Sequence, residues 1–167
     1  LAASNYFDQI EQRAAELAIL NGVSEAMTKA LDVKTLTRNV GDKVREIFDS
    51  EIVNILIYES KTNMVHLNYS YYKKYFEAEP PWDLSEGGLT TKIIRSGQPL
   101  LLNNPQALEN NGAGTYITAT VDEDDAQSYL GVPIMVGDKV LGVLDVQSLR
   151  PNAFNESNLH LLQTIAS

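Results

Sequence analysis

The sequence predicts an α+β protein in which an antiparallel β-sheet of about five to six strands is flanked by helices. Two stretches alternate apolar and polar residues on either side of a short polar turn, which is the pattern of a β-hairpin. Both ends of the chain instead space their apolar residues three or four apart, as amphipathic helices do. We expect long N-terminal and C-terminal helices that pack together beside the sheet.

Residues 1–31 are predicted to form a linker or dimerisation helix. Their apolar side chains make a narrow stripe, which suits one partner helix better than a broad sheet. Gly22 weakens the middle of this helix. The alternative is a helix that packs on its own domain. The residues expected at a dimer contact are Ile10, Leu17, Leu20, Met27 and, on the C-terminal helix, Leu162.

Residues 32–167 are predicted to form one domain, which begins with a second helix over 32–50 capped by Asp32. A β-branched run over 52–58 and an alternating run over 64–72 then form a hairpin around a polar turn. Strict alternation places four side chains of the second strand together on the core face: Val65, Leu67, Tyr69 and Tyr71.

The middle of the chain is less regular. Gly87 and Gly88 precede a short helix that Gly97 ends, and residues 99–102 form a short strand. The next segment, 103–127, is rich in Gly and Asn and has no helical or strand period. Long irregular connections inside compact domains are usually binding elements or mobile loops. We expect this segment to be one or the other.

A second hairpin and the helix after it form the best-patterned part of the domain. Gly137 and Asp138 turn the chain between two alternating strands, and Pro151 and Asn152 end the second strand before a terminal helix over 154–167. The alternating apolar positions are Leu130, Val132, Ile134 and Val136, then Val140, Gly142, Leu144 and Val146. Because the last run stops without a C-cap, we expect the helix to continue into an output region.

This C-terminal stretch resembles the second half of a GAF domain, the regulatory module of phosphodiesterases, phytochromes and bacterial sensor proteins. The matching positions are Gly131, Val132, Pro133, Gly137, Gly142, Val143, Leu144, Phe154, Leu161, Leu162 and Ala166. Residues 87–102 resemble the middle of the same family, so the likeness extends from about residue 31 onward. It implies a GAF/PAS-like sheet, a place in a larger bacterial-type signalling protein, and a ligand pocket with 103–127 as one wall.

Several side chains could line such a pocket. Aromatic rings with polar ends suit a planar ligand, although they suit a sheet core equally well. Asp145 is the one charged residue inside its strand and could bind a ligand amine or ring nitrogen. Because the alternate set of that strand is the more apolar one, we expect Asp145 to be exposed instead. The candidate pocket residues are Tyr69, Tyr71, Trp82, Thr91, Tyr116 and Asp145.

Composition excludes several functions. The chain has no cysteine, which removes thiolate nucleophiles, Cys-ligated metals and a covalently Cys-linked bilin. A formal net charge of −9 disfavours nucleic-acid and membrane-surface partners. Neither histidine has a second ligand at metal spacing, and the acidic run 122–125 is expected to be a solvated turn. We therefore expect no catalytic residue and no metal site.

The leading hypothesis is a non-catalytic cytoplasmic domain that binds a small molecule and signals allosterically through its terminal helices to an output domain. We expect a homodimer through those helices, without membrane insertion, because no apolar run reaches the length of a spanning helix. The alternative is a ligand-free dimerisation spacer. An enzyme ranks third, because the methionine sulfoxide reductases that share the GAF fold depend on cysteines absent from this sequence.

Overall fold

The chain starts with one long helix, α1 (Ala2–Phe48). The structure is a computed structural model that describes residues 2–76, 80–113 and 126–167. The prediction that a second helix begins at Asp32 is wrong, because α1 continues through that residue. No Gly or Pro lies between Gly22 and Gly41, and an Asp inside a helix costs only about 0.7 kcal/mol relative to Ala. A capping residue without a breaker therefore does not interrupt the helix.

Residues 1–36 and 37–167 form two separate compact units. In the first unit the described large apolar side chains of the helix are exposed: Tyr6, Phe7, Ile10, Leu17, Ile19, Leu20, Val23, Met27, Val33 and Leu36. Among the described residues, no helix is both long enough and apolar enough to cross a membrane.

The second unit is built on an antiparallel sheet. Its strands are β1 (Ile52–Glu59), β2 (Met64–Tyr72), β3 (Lys74–Tyr75), β4 (Trp82–Asp83), β5 (Leu100–Leu102), β6 (Ser128–Val136) and β7 (Lys139–Ser148). They lie in the order β3-β2-β1-β7-β6-β5, and β4 also pairs with β2. The helices after α1 are α2 (Leu89–Ser96), α3 (Pro105–Asn110) and α4 (Glu156–Ile165). Both predicted hairpins and the predicted fold class are confirmed.

Local signals explain where the shorter helices begin and end. Gly97 ends α2 as predicted, in the left-handed conformation with φ 65° that glycine adopts without strain. Asn155 starts α4 with a capping box shared with Asn158. The segment predicted to be irregular contains α3, because the Asn104 side chain accepts a hydrogen bond from the Ala107 amide and proline occupies the first turn. Residues 114–125 of that segment lie outside the described residues.

The sheet has apolar side chains on both faces. On the first face, here called the α1 face, the sheet packs against α4 and the end of α1 through residues such as Val44, Ile55 and Leu144. On the second, here called the α2 face, it packs against α2 and α3. Leu162 of α4 has no solvent exposure in the core of the α1 face. Its predicted role at a dimer contact is therefore wrong, because a residue already filling the core has no surface to offer a partner.

A β-bulge in β2 changes which side chains share a face. Ile55 pairs with Tyr69, whereas the next residue, Leu56, pairs with Leu67, so Asn68 is the extra residue. An inserted residue reverses the alternation beyond it. Val65 and Leu67 accordingly pack on the α2 face, but Tyr69 packs on the α1 face with Tyr71 against the same cluster. The expectation that these four residues share one face is wrong.

Candidate functional site

A chain of buried polar side chains crosses the middle of the sheet on the α2 face. The Ser70 hydroxyl on β2 donates to the Asn54 Oδ1 atom on β1 at 2.7 Å. Asn54 in turn donates through Nδ2 to Asp145 Oδ1 on β7 at 3.1 Å, and Gln147 Nε2 donates to the same oxygen at 3.0 Å. We call Ser70, Asn54, Asp145 and Gln147 the polar network. It joins three adjacent strands through side chains as well as through backbone pairing.

Asp145 is buried, with only 2% of its surface exposed, which corrects the expectation that it faces solvent. That expectation assumed that only the more apolar side of β7 is covered, but both faces of this sheet carry a core. Burial raises the pKa of Asp145 to about 6, and the hydrogen bonds from Gln147 and Asn54 oppose the rise without cancelling it. The hydrogen bonds from Asn54 and Gln147 therefore do not fully stabilise the charged form of the Asp145 carboxylate.

Tyr129 lies beside this carboxylate with an equally buried side chain. It is 2% exposed, and its hydroxyl has no hydrogen-bond partner within the part of the chain that the structure describes. The ring lies across Gly131, where a Cβ atom would come within 2.5 Å of the hydroxyl oxygen. Burial and the nearby charge of Asp145 raise the pKa of Tyr129, so the hydroxyl stays protonated. It is thus a buried hydroxyl, able to donate and to accept, whose hydrogen-bonding capacity the described residues do not use.

Two further predicted pocket residues lie on this side of the protein. Trp82 on β4 is half-buried and packs against the α2-face core. Thr91 on α2 is buried, but its hydroxyl already donates to backbone oxygens of Leu84 at 2.9 Å and Gly87 at 3.0 Å. Thr91 therefore fastens α2 to the preceding turn. Tyr116 lies outside the described residues, as does the acidic run 122–125.

The remaining candidates, Tyr69 and Tyr71, lie on the opposite face from Asp145. The Tyr69 hydroxyl donates to Asp42 of α1 at 2.8 Å, and that of Tyr75 donates to the same oxygen at 2.6 Å. The guanidinium carbon of Arg45 lies 3.2 Å from the centre of the Tyr71 ring. These residues attach α1 to β2 and β3, and we call Asp42, Arg45, Tyr69, Tyr71 and Tyr75 the helix clamp.

Asp42 is held in its charged form by this arrangement. Burial acts to raise the pKa of Asp42, but the hydrogen bonds from Tyr75 and Tyr69 and the charges of Arg38 and Arg45 outweigh it. The net result is a pKa below the ordinary value. The clamp is therefore satisfied within the protein, which favours a structural role for Tyr69 and Tyr71 over ligand contact.

An open cleft of about 440 Å³ adjoins the clamp, between the end of α1 and the end of β2. Three clamp residues, Asp42, Arg45 and the predicted pocket residue Tyr71, line part of it. Its lining mixes carboxylates such as Glu46 and Asp49 with the cations Arg45 and Lys73. The cleft is on the clamp side, and Asp145 does not line it. The buried polar site and the open cleft are thus separate features.

Sequence reasoning missed Asn54, Ser70 and Tyr129 as site residues. Asn54 did carry a signal, because it is the one polar residue in a β-branched run and such a residue needs a buried partner. Ser70 carried none, since the bulge at Asn68 that turns it to the α2 face depends on pairing with β1. Of the predicted set, only Asp145 belongs to the polar network.

The sheet order, the helices on both faces and the sequence place this chain in a known family of domains. The sequence profile of the GAF domain family matches residues 30–167, and the chain belongs to this family. Among curated proteins it is similar to the formate hydrogenlyase transcriptional activator of Escherichia coli (strain K12), with 27% identity over 89% of this chain and 22% of that protein. The chain thus spans about a fifth of the length of the curated relatives it matches.

Solved structures share the fold. A segment of a methyl-accepting chemotaxis protein matches with a TM-score of 0.64 at 18% identity, over 89% of this chain and 91% of that one. A free methionine-R-sulfoxide reductase from Thermoplasma acidophilum matches with a TM-score of 0.63 at 16% identity, over 80% of this chain and 86% of that one. At these identities the likeness defines the architecture alone, and the fold serves both signalling proteins and enzymes.

Proposed function

We propose that this domain is a non-catalytic sensory module that binds a small molecule on the α2 face of its sheet and passes the signal to its terminal helices. The observation that carries the proposal is the buried pair of Asp145 and Tyr129, one an acceptor with a raised pKa and the other a hydroxyl without a partner among the described residues. Buried polar groups left under-satisfied in a native fold call for an explanation, and a bound ligand is one. A purely structural sheet would gain stability from apolar residues there.

The chemistry of the pair indicates what kind of molecule fits. A carboxylate accepts hydrogen bonds, so a ligand amine or ring N–H group is the natural partner of Asp145. The Tyr129 hydroxyl can donate to a second polar atom on the same molecule. The apolar side chains of the α2-face core, including Trp82, would surround the remainder of such a ligand.

A thermal-shift screen tests the proposal. The panel comprises free amino acids, nucleosides, nucleobases and amines, with formate added because the bacterial relatives are named for formate hydrogenlyase. We expect at least one N–H-bearing compound to raise the Tm of the wild-type chain and to lose that effect in Asp145→Asn. Asp138→Asn, at an exposed carboxylate in the β6–β7 turn, is the matched control and should keep it. No stabilising compound, together with a crystal structure showing side chains filling the space beside Asp145, would refute a ligand-binding role.

We extend the proposal to the protein's setting. The similarity to a transcriptional activator supports a place as the sensory part of a longer regulator acting in the cytoplasm. There a ligand that binds two states of the domain differently would bias an output region through α1 and α4. The reductase neighbours do not favour catalysis in this chain, because a reductase of that fold would need a redox-active thiol and this sequence has no cysteine.

A second candidate function, a dimerisation spacer without a ligand, is favoured by one observation. The helix of residues 1–36 exposes large apolar side chains along its length, and such a stripe suits a second copy of the same helix. We propose a homodimer through this helix in either case. Unlike the ligand-binding proposal, the spacer function predicts that side chains fill the core on the α2 face and that no compound stabilises the chain.

A further inference from the structure

We propose that strand β2 couples the ligand face to helix α1 through two adjacent residues, Ser70 and Tyr69, whose side chains lie on opposite faces of the sheet. This inference rests on the proposed function, since the polar network is taken as the place where a signal enters. The new element is a route through β2 by which a change at the polar network reaches α1.

The first step is the bulge at Asn68. Without it, Tyr69 would lie on the α2 face with Val65 and Leu67, and Ser70 would face α1. With it, Ser70 joins the polar network while Tyr69 reaches Asp42. The bulge therefore connects the two sites through one pair of neighbouring residues. Bulges commonly re-aim side chains next to functional sites.

The second step is the tie between Ser70 and Asp145. Asn54 accepts from Ser70 and donates to Asp145, so its side chain has a partner at each end. Asp145 Oδ1 already accepts from both Asn54 and Gln147, so a ligand N–H group that bonds to this oxygen competes with the Asn54 donor. Displacement of the Asn54 amide then alters the acceptor offered to Ser70, and β2 shifts against β1.

The third step is the tight contact between Tyr69 and α1. A Cβ atom on Gly41 would lie 2.5 Å from the Tyr69 ring, so the helix and the ring touch without slack. The Tyr69 hydroxyl is also bonded to Asp42 one residue further along the helix. Movement of β2 therefore cannot leave α1 in place without breaking this hydrogen bond or opening a gap. Tyr69 and Ser70 act here as positioning residues.

Amide hydrogen exchange in the 167-residue chain tests the coupling without any ligand. Ser70→Ala removes the hydroxyl that ties β2 to Asn54. We expect exchange of the α1 amides in residues 41–48 to accelerate about five-fold relative to the α4 amides of the same protein. Ser128→Ala is the matched control, because Ser128 is equally buried and hydrogen-bonded but lies on β6. It should leave exchange of the α1 amides unchanged, and only α4 can respond, because the Ser128 hydroxyl also accepts from the Ala153 amide just before that helix.

A double variant sharpens the test. In a Tyr69→Phe background the bond to Asp42 is already absent, so adding Ser70→Ala should produce less than half of its effect on α1. The proposal is overturned if Ser70→Ala and Ser128→Ala change the ratio equally, or if the effect of Ser70→Ala persists in full without the Tyr69 hydroxyl. If the exchange experiment shows the coupling and the compound screen finds no ligand, the coupling through β2 stands and the proposed ligand binding fails. If the screen finds a ligand and the exchange experiment shows no coupling, ligand binding stands and the route through Ser70 and Tyr69 fails.

Discussion

A carboxylate buried in a sheet lowers the stability of the fold unless its hydrogen bonds replace what it loses on leaving water. Asp145 has two amide donors on one oxygen and still has a pKa raised to about 6. The replacement is therefore incomplete. It lies at the centre of the sheet beside Tyr129, whose hydroxyl has no partner among the described residues, and this combination supports the proposed binding role.

The pH dependence of unfolding should report this cost. The pKa of Asp145 rises from 3.8 to about 6 on folding, so the folded state holds the proton more tightly than the unfolded chain. The contribution of protonated Asp145 to the free energy of unfolding is therefore fully present below about pH 4, and it is lost as the pH rises through about 6. Asp145→Asn carries no such charge, and we expect it to gain about 1–3 kcal/mol relative to wild type between pH 4 and pH 7.5. Urea unfolding of both proteins at the two pH values measures this difference, and a constant difference contradicts it.

Individual residues were the hardest to place from the sequence. Asp145 is the one charged residue in the stretch 140–148, and this is visible by inspection. Its burial was not predictable, because it depends on α2 and α3 covering the second face of the sheet. Ser70 and Tyr69 exchange faces through a bulge that only strand pairing creates.

Helices and hairpins were largely predictable at the level of elements, because periodicity and turn residues are local signals. The paired strands of both hairpins and the end of α2 at Gly97 appear where the sequence indicates. The continuity of α1 differs from the sequence prediction, because Asp32 is typical of a helix start but no Gly or Pro beside it breaks the helix. The two glycines of α1, Gly22 and Gly41, also look alike in sequence but have different surroundings.

Substitution of these glycines by alanine should have opposite effects. At Gly41 a methyl group would press into the Tyr69 ring, so Gly41→Ala should lower the free energy of unfolding by about 1–3 kcal/mol. At Gly22 nothing lies within 4 Å, and Gly22→Ala should favour the helix by about 0.5–1 kcal/mol. Chemical denaturation measures the first and helicity by circular dichroism the second. Equal effects at both positions would show that helix propensity, rather than the Tyr69 contact, governs Gly41.

On the scale of the whole molecule, the sheet domain and the exposed helix differ in how their apolar side chains are covered. The described part of residues 37–167 buries most of its large apolar side chains in two clusters, whereas residues 5–29 and 32–36 of the helix leave theirs exposed. An amphipathic helix without a core of its own gains stability by association. We infer that the first unit exists to join copies or to transmit motion.

Charged substitutions test the dimer. Leu17→Glu combined with Leu20→Glu should convert the mass measured by light scattering from two chains to one, because like charges would face each other in the stripe. Thermal unfolding of the 37–167 unit should be unaffected. Val136→Glu is the control, since Val136 is 60% exposed, as is Leu17, but lies in the sheet domain. If Val136→Glu also dissociates the dimer, the contact between the two copies does not lie in the helix.

The central claim is that the α2 face, rather than the clamp side, receives the ligand. Amide chemical-shift mapping with the compound that stabilises the chain most tests it directly. We expect the largest shifts at Asn54, Tyr129, Asp145 and Gln147, with smaller ones reaching Tyr69 and Asp42. Shifts confined to the open cleft around Glu46 and Asp49 would contradict the account, because that cleft lies on the other side of the sheet from the polar network.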